Sequence, residues 1–342
     1  MALICFDGFD YTTNSNFLNS LGYYDTGGAA IIAGGGRFGG NCLSIAPAYP
    51  GSPTRVFAAG FAQAFVGFAV NAAVNTLTVG FVDTNNNSNY QCYLTFNDYG
   101  QISAYNGNGT LLGSSSINAW LPGTWCYCEI KPVIAGGTSG SLQVRINGAV
   151  VLTLPNVNTQ HPTSTSSTFN GIRWAAGDYA NPRIDDFYMC DPTGAAPYNS
   201  YLGNVRVQAV LPAAAGSLTQ FLKSSTSLAN WQCAINQNVD DTLYVYSATV
   251  GNEDLYTVSA SIGAVTIYGV QIRGAYRQDD ATQRSAQTLL KSGSTFATTA
   301  IVPCNQAYAF QTDGPFIVDP NTGASWTPSA VNSLQIGPKV AA

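Results

Sequence analysis

Charge is what this sequence lacks most. Lys, Arg, Asp and Glu together make up 9% of its 342 residues, against roughly 25% in a typical globular domain. Glutamate occurs twice, at Glu129 and Glu253, and lysine four times. Both residues favour helices and are depleted in strands, so their scarcity points to a β-rich chain with little helix. The polar surface must then be built from Asn, Ser, Thr, Gln and Gly, which hydrogen-bond rather than repel. Such a surface suits contact with neighbouring subunits or neutral glycans. Lys and Arg form no run and the net charge is −5, so no phosphate-tracking patch is visible and no nucleic-acid partner is expected.

Other absences narrow the chemistry. The one histidine, His161, lies in a Gln-His-Pro-Thr-Ser loop, and no CxxC pair or Cys/His cluster supports zinc. A Ser or Cys nucleophile would need His161 as its sole base, and no G-x-S-x-G elbow is present. The opening Met-Ala-Leu-Ile-Cys-Phe-Asp-Gly lacks the basic start and long apolar run of a signal peptide. The eight cysteines are therefore expected as free thiols of a chain made in a reducing cytoplasm. Val56 to Val74 carries no charge over 19 residues, long enough to span a bilayer. Gln63, Asn71 and many small residues interrupt it, and the expectation is buried strands without membrane insertion.

What is present is short alternating runs between turn signals. Tyr90 to Thr95 and Gln101 to Tyr105 flank Asn97-Asp98-Tyr99-Gly100 as a hairpin, and Asn147-Gly148 joins two further runs in the strongest short hairpin signal of the chain. Ile184 to Cys190 alternates with period 2 and stops at Asp191-Pro192-Thr193-Gly194. A new extended run begins at Val205-Arg206-Val207. The expectation is an all-β chain of two β-sandwich domains, 1–200 and 206–342. The second should hold a short helix near 328–334, capped by Thr327 with Pro328 at its first position.

The stretches "FDGFD", "GQISAYNGNGTLLGSS", "WCYCEIKPVI", "GSLQVRINGAVVL" and "IDDFYMCD" follow one another in an order that resembles the concanavalin A-like, or laminin-G-like, jelly roll. "LGNVRVQAVLP" and "DPNTGASWTPSAVNSLQIG" look like parts of composite virion proteins of tailed bacteriophages. The resemblance implies a structural component of a virion, made in host cytoplasm, oligomeric with itself and bound to other virion proteins. A tail-fibre or receptor-facing appendage is the leading expectation, with a capsid decoration or head-fibre protein as the alternative. A glycan-binding or depolymerising protein acting on host surface polysaccharide is the alternative from another class.

Catalysis is not expected, and no cofactor beyond calcium is. Glycosidases flank the scissile bond with two carboxylates, whereas Glu129 stands without an acid two residues away. Asp185 and Asp186 are adjacent, so a regular strand would point them to opposite faces. Asp83, Asn85 and Asn87 have the spacing of a calcium loop, but Ser88 and Leu94 occupy the positions of its glycine and glutamate. For a glycan, exposed aromatics near amides and carboxylates are the candidates: Trp120, Trp174, Asp178, Tyr179 and Tyr198. Trp125 and Trp231 sit in strand-like runs and are expected in the core.

Overall fold

The structure is a computed structural model that describes residues 3–47, 52–72, 77–85, 89–177, 181–235, 239 and 241–342. The chain divides into two compact units, Met1–Gln208 and Ala209–Ala342, and is nearly all β.

Two antiparallel sheets make the first unit. The larger runs, in spatial order, through Ala149–Val157, Gly140–Ile146, Cys126–Val133, Phe65–Asn71, Arg183–Cys190, Cys42–Ile45 and Ala29–Ile32, and Leu3–Asp7 also pairs with Arg183–Cys190. The smaller runs through Leu111–Ser114, Ile102–Asn106, Asn89–Phe96, Leu77–Asp83, Phe169–Ala176, Thr54–Phe61 and Tyr23–Tyr24. Neighbours in space are often distant in sequence because the chain crosses between sheets, as in a jelly roll. The period of 2 puts one face of each strand inward. Phe81, Leu94, Ile102 and Ile172 of the seven-stranded sheet are fully buried, as are Val66, Phe68, Cys128 and Ile130 of the eight-stranded one. Trp174 locks the layers together: its ring meets Phe68 edge-on at 6.3 Å and Phe187 at 5.1 Å.

Two breaks in alternation shape the surfaces. In Asn89–Phe96 the register shifts opposite Phe81 and Val82. Gln91, fully buried, donates from its amide to Ser164 Oγ, Ser166 O and Thr168 O. Its carbonyl accepts from His161 N at 2.8 Å. This bulge pins the 160–168 loop and brings Tyr90 onto the face that Tyr93 occupies, so the clean alternation expected from Tyr90 to Thr95 does not hold.

The second break is at Asp186, which has φ 51° beside a register shift between Asp185 and Tyr188. The two carboxylates, expected on opposite faces, instead converge on one arginine. Arg37 donates its backbone N–H to Asp185 Oδ2 at 2.8 Å and lies 3.5 Å from Asp186 Oδ2 through Nη1. Asp186 also accepts from Val207 N at 2.7 Å. Residues 206–208 thus group with the first unit.

The second unit holds a six-stranded sheet ordered Pro212–Thr219, Asp254–Val258, Gln335–Val340, Ser285–Ser292 and Thr295–Phe296, with Ile301–Pro303 also on Ser285–Ser292, plus two two-stranded ribbons. Its core gathers Ile272, Leu290, Ala297, Trp326, Val331 and Leu334. The helix spans Pro328–Asn332, and Thr327 Oγ1 accepts from Ala330 N at 3.1 Å. All eight cysteines are unbridged. Among the described residues, no helix is long and apolar enough to cross a membrane.

Candidate functional site

The outward face of the seven-stranded sheet carries a row of side chains that the register aligns across the strands. Leu111 pairs with Tyr105, Tyr105 with Tyr93, Tyr93 with Gly80, Gly80 with Arg173, Arg173 with Thr54, and Thr54 with Tyr24. Tyr105, Tyr93, Gly80 and Arg173 are each flanked by buried residues and so belong to the outer face, and the pairing places Leu111, Thr54 (2% exposed) and Tyr24 in line with them. Strands lie ~4.8 Å apart, which makes the row about 29 Å long from end to end.

Its centre is aromatic. The rings of Tyr93 and Tyr105 stack 5.1 Å apart at 14°, the close cross-strand geometry that favours aromatic pairs. Tyr90 tilts against Tyr93 at 5.2 Å and lies across Gly80. A Cβ at Gly80 would run into the Tyr90 ring, so the glycine is the slot that lets Tyr90 lie down. Gly80→Ala is expected to lift Tyr90 out of the row and to cost about 1–3 kcal/mol, the range for overpacking. Urea unfolding measures the cost, and an unchanged midpoint would show that the slot has slack.

Arg173 continues the row. Its guanidinium lies 5.4 Å from the Tyr90 ring centre, its Nε donates to Thr54 Oγ1 at 3.0 Å, and Nη2 is 3.8 Å from Asp25 Oδ2. Burial raises the Tyr90 phenol above its usual pKa, partly opposed by Arg173. Burial and then the neighbouring Tyr105 raise that of Tyr93. Both phenols therefore keep their protons at neutral pH and offer an O–H donor as well as an acceptor.

One pleat along the same strands, ~6.7 Å away, a second row runs Ser114, Ser103, Thr95, Thr78 and Ala175. All five are small, and four carry hydroxyls. Ser103 and Ser114 share a hydrogen bond at 2.8 Å. Tall tyrosine rings thus stand beside a low hydroxyl floor. Rings offer flat apolar faces and hydroxyls offer paired donors and acceptors, the two things a sugar ring presents in return.

The residues singled out in the sequence fall elsewhere. Trp174 is wholly buried and Trp120 is 4% exposed, its ring edge-on to Phe96 at 5.7 Å. Neither can stack on a ligand, which corrects that expectation. Trp125 and Trp231, expected in the core, are half-buried. Tyr198 is half-buried in the 191–200 segment, and Asp178 and Tyr179 lie outside the described residues.

The calcium-loop candidates are not assembled either. Asp83 is buried, with Oδ1 accepting from Asn85 N at 3.1 Å and Oδ2 from Ser164 Oγ at 3.3 Å. That is an Asx turn tied to a loop. Asn85 is exposed, and Asn87 lies outside the described residues. Among the described residues, no group of three or more His, Cys, Asp or Glu is placed to hold a metal ion.

A contrasting cluster occupies the outer face of the eight-stranded sheet. Glu129, 1% exposed, accepts from Tyr188 Oη at 2.6 Å and from Gly203 N at 2.8 Å. Leu202 N donates to Tyr188 Oη at 3.0 Å, and Tyr201 lies over the Arg145 guanidinium at 3.9 Å. The 201–207 segment is laid over this face and held by it.

Burial, and then the charge of Asp186, push Asp185 up to about 7, against the pull of two backbone N–H donors. An unfolded Asp titrates near ~3.9, so the folded form holds its proton over that interval. The contribution to stability is therefore full below about pH 4 and is lost as pH rises through about 7. Asp185→Asn is expected to gain in Tm relative to the parent between pH 5 and pH 8. A difference that stays constant with pH would show that Asp185 is ionised throughout.

No protein-family model matches the chain, and no curated protein matches it. Solved structures align with part of the chain. An endo-β-1,4-glucuronan lyase from the fungus Trichoderma reesei aligns at 11% identity and TM-score 0.37, over 55% of this chain and 95% of that one. An alginate lyase aligns at 11% and 0.35, over 54% and 92%. A carbohydrate esterase from the Shiga toxin-encoding bacteriophage phi24B aligns at 14% and 0.38, over 56% and 99%. At these values the likeness concerns the fold alone. The expectation of a chain without catalysis is withdrawn: the aligned proteins include two lyases and an esterase, beside a galectin.

Proposed function

We propose that the chain is a carbohydrate-recognition protein whose binding face is the outer surface of the seven-stranded sheet. The observation that carries the reading is the in-register row of Tyr105, Tyr93, Tyr90 and Arg173 beside a floor of Ser103, Thr95 and Thr78. Half-buried aromatics fixed by cross-strand packing lose little entropy on binding, which is what makes tyrosine an economical contact residue. The sequence resemblance to tailed-phage virion components supplies a setting, a particle that meets polysaccharide on its host's surface.

The test is migration of the full chain in native gels cast with a panel of polysaccharides, parent against Tyr93→Ala. Retardation of the parent that the variant loses supports the reading. A variant retarded as strongly as the parent removes this face from consideration. The same panel, assayed for product release, reports whether the bound chain is also cut.

A further inference from the structure

Resting on the reading above, we infer that the face takes an uncharged polysaccharide, bound along the middle of its chain and laid across the strands.

Three observations converge on this. The row is open at both ends: Leu111 at one edge of the sheet is 54% exposed and Tyr24 at the other is 58% exposed. Among the described residues both ends lie on exposed edge strands, so a chain can enter and leave across them. A pocket for a terminal sugar would instead be closed on one side and enclose most of its ligand.

The second observation is charge. Arg173 is the one cation of the row, and it is already engaged by Thr54, by the Tyr90 ring and by Asp25. Asp25, 3.8 Å away, partly offsets its charge, and the whole chain carries 18 acidic against 13 basic residues. A polyanion approaching this face would meet a weakly repulsive field and no uncompensated cation to offset it. Anion recognition relies on bidentate guanidinium or clustered lysines, and the second row offers four hydroxyls and a methyl, with no cation.

The third is the floor itself. Ser114, Ser103, Thr95 and Thr78 follow one another at the spacing of the strands and run parallel to the tyrosines. Contacts repeat along the direction of the row, so affinity must grow with ligand length until the row is filled.

The experiment uses the full chain and two size ladders, neutral β-glucan, mannan and chitin oligomers against alginate and polyglucuronate oligomers, titrated at low and at moderate salt. The expected result is binding to a neutral ladder that tightens at least tenfold from the shortest to the longest oligomers and then levels off. Salt should change it less than twofold. Tyr24→Ala should weaken only the long oligomers, by several-fold, because its residue meets the ligand last.

Preference for the acidic ladder, with strong salt dependence and loss in Arg173→Gln, overturns this inference and leaves the carbohydrate reading standing. Equal affinity for monosaccharide and long oligomer also overturns it. No binding on either ladder overturns the carbohydrate reading itself.

Discussion

Tyr93→Ala is expected to weaken polysaccharide binding about 30-fold while the protein stays folded. Tyr93 stands between Tyr90 and Tyr105, in contact with both rings, and is only partly covered by the protein. Truncating a central aromatic of a binding surface costs ~2 kcal/mol or more, which is a factor of about 30 in affinity. The stability cost is smaller: one stacked pair contributes ~0.5–1.5 kcal/mol, a fall of a few degrees in Tm. Tyr105→Ala should behave alike, and the double variant should lose less than the sum, because both rings contact one ligand. Isothermal titration and a thermal melt on the same samples separate the two effects. A large fall in Tm with unchanged affinity would make these rings structural.

Trp174→Ala has the opposite profile, destabilising by about 3–5 kcal/mol, the range for removing a buried Trp or Phe. Its ring is wholly buried between Phe68 and Phe187 of the facing sheet, so the variant leaves a cavity where the layers meet. The fraction that remains folded should bind polysaccharide as the parent does. Urea unfolding gives the first quantity and titration at low temperature the second. Destabilisation below about 1 kcal/mol would mean that the two sheets can close over the gap.

These two residues show where sequence was informative and where it was not. The Tyr90–Thr95 and Gln101–Tyr105 runs announce a hairpin by alternation and turn chemistry, and the strands observed are Asn89–Phe96 and Ile102–Asn106. Alternation alone puts Tyr93 and Tyr105 on outer faces. That they stack, and that Gly80 and Arg173 extend the row, depends on register between strands as far apart as 105 and 24, which a single sequence does not encode locally. Tyr90 joins only through the bulge at Gln91, whose partners lie beyond residue 160.

Trp174 was misjudged for a related reason. Polar neighbours made it resemble a loop residue, but it alternates with Ile172 on the core face of Phe169–Ala176. The Asp185–Asp186 pair failed differently. Asp186 at positive φ accepts non-local hydrogen bonds from Arg37 Nη1 and Val207 N, which override the local period. The Thr327-Pro328 helix start was legible because a cap is a local device.

A polysaccharide bound as proposed occupies the seven-stranded face. Hydroxyl-radical footprinting of tyrosine, with and without saturating polysaccharide, tests it most directly. The expected result is protection of Tyr93, Tyr105 and Tyr24 on binding, with Tyr201, in the segment over the other sheet, unchanged. Protection at Tyr201 with Tyr93 and Tyr105 still reactive would contradict it and move the site to the face of Glu129 and Arg145.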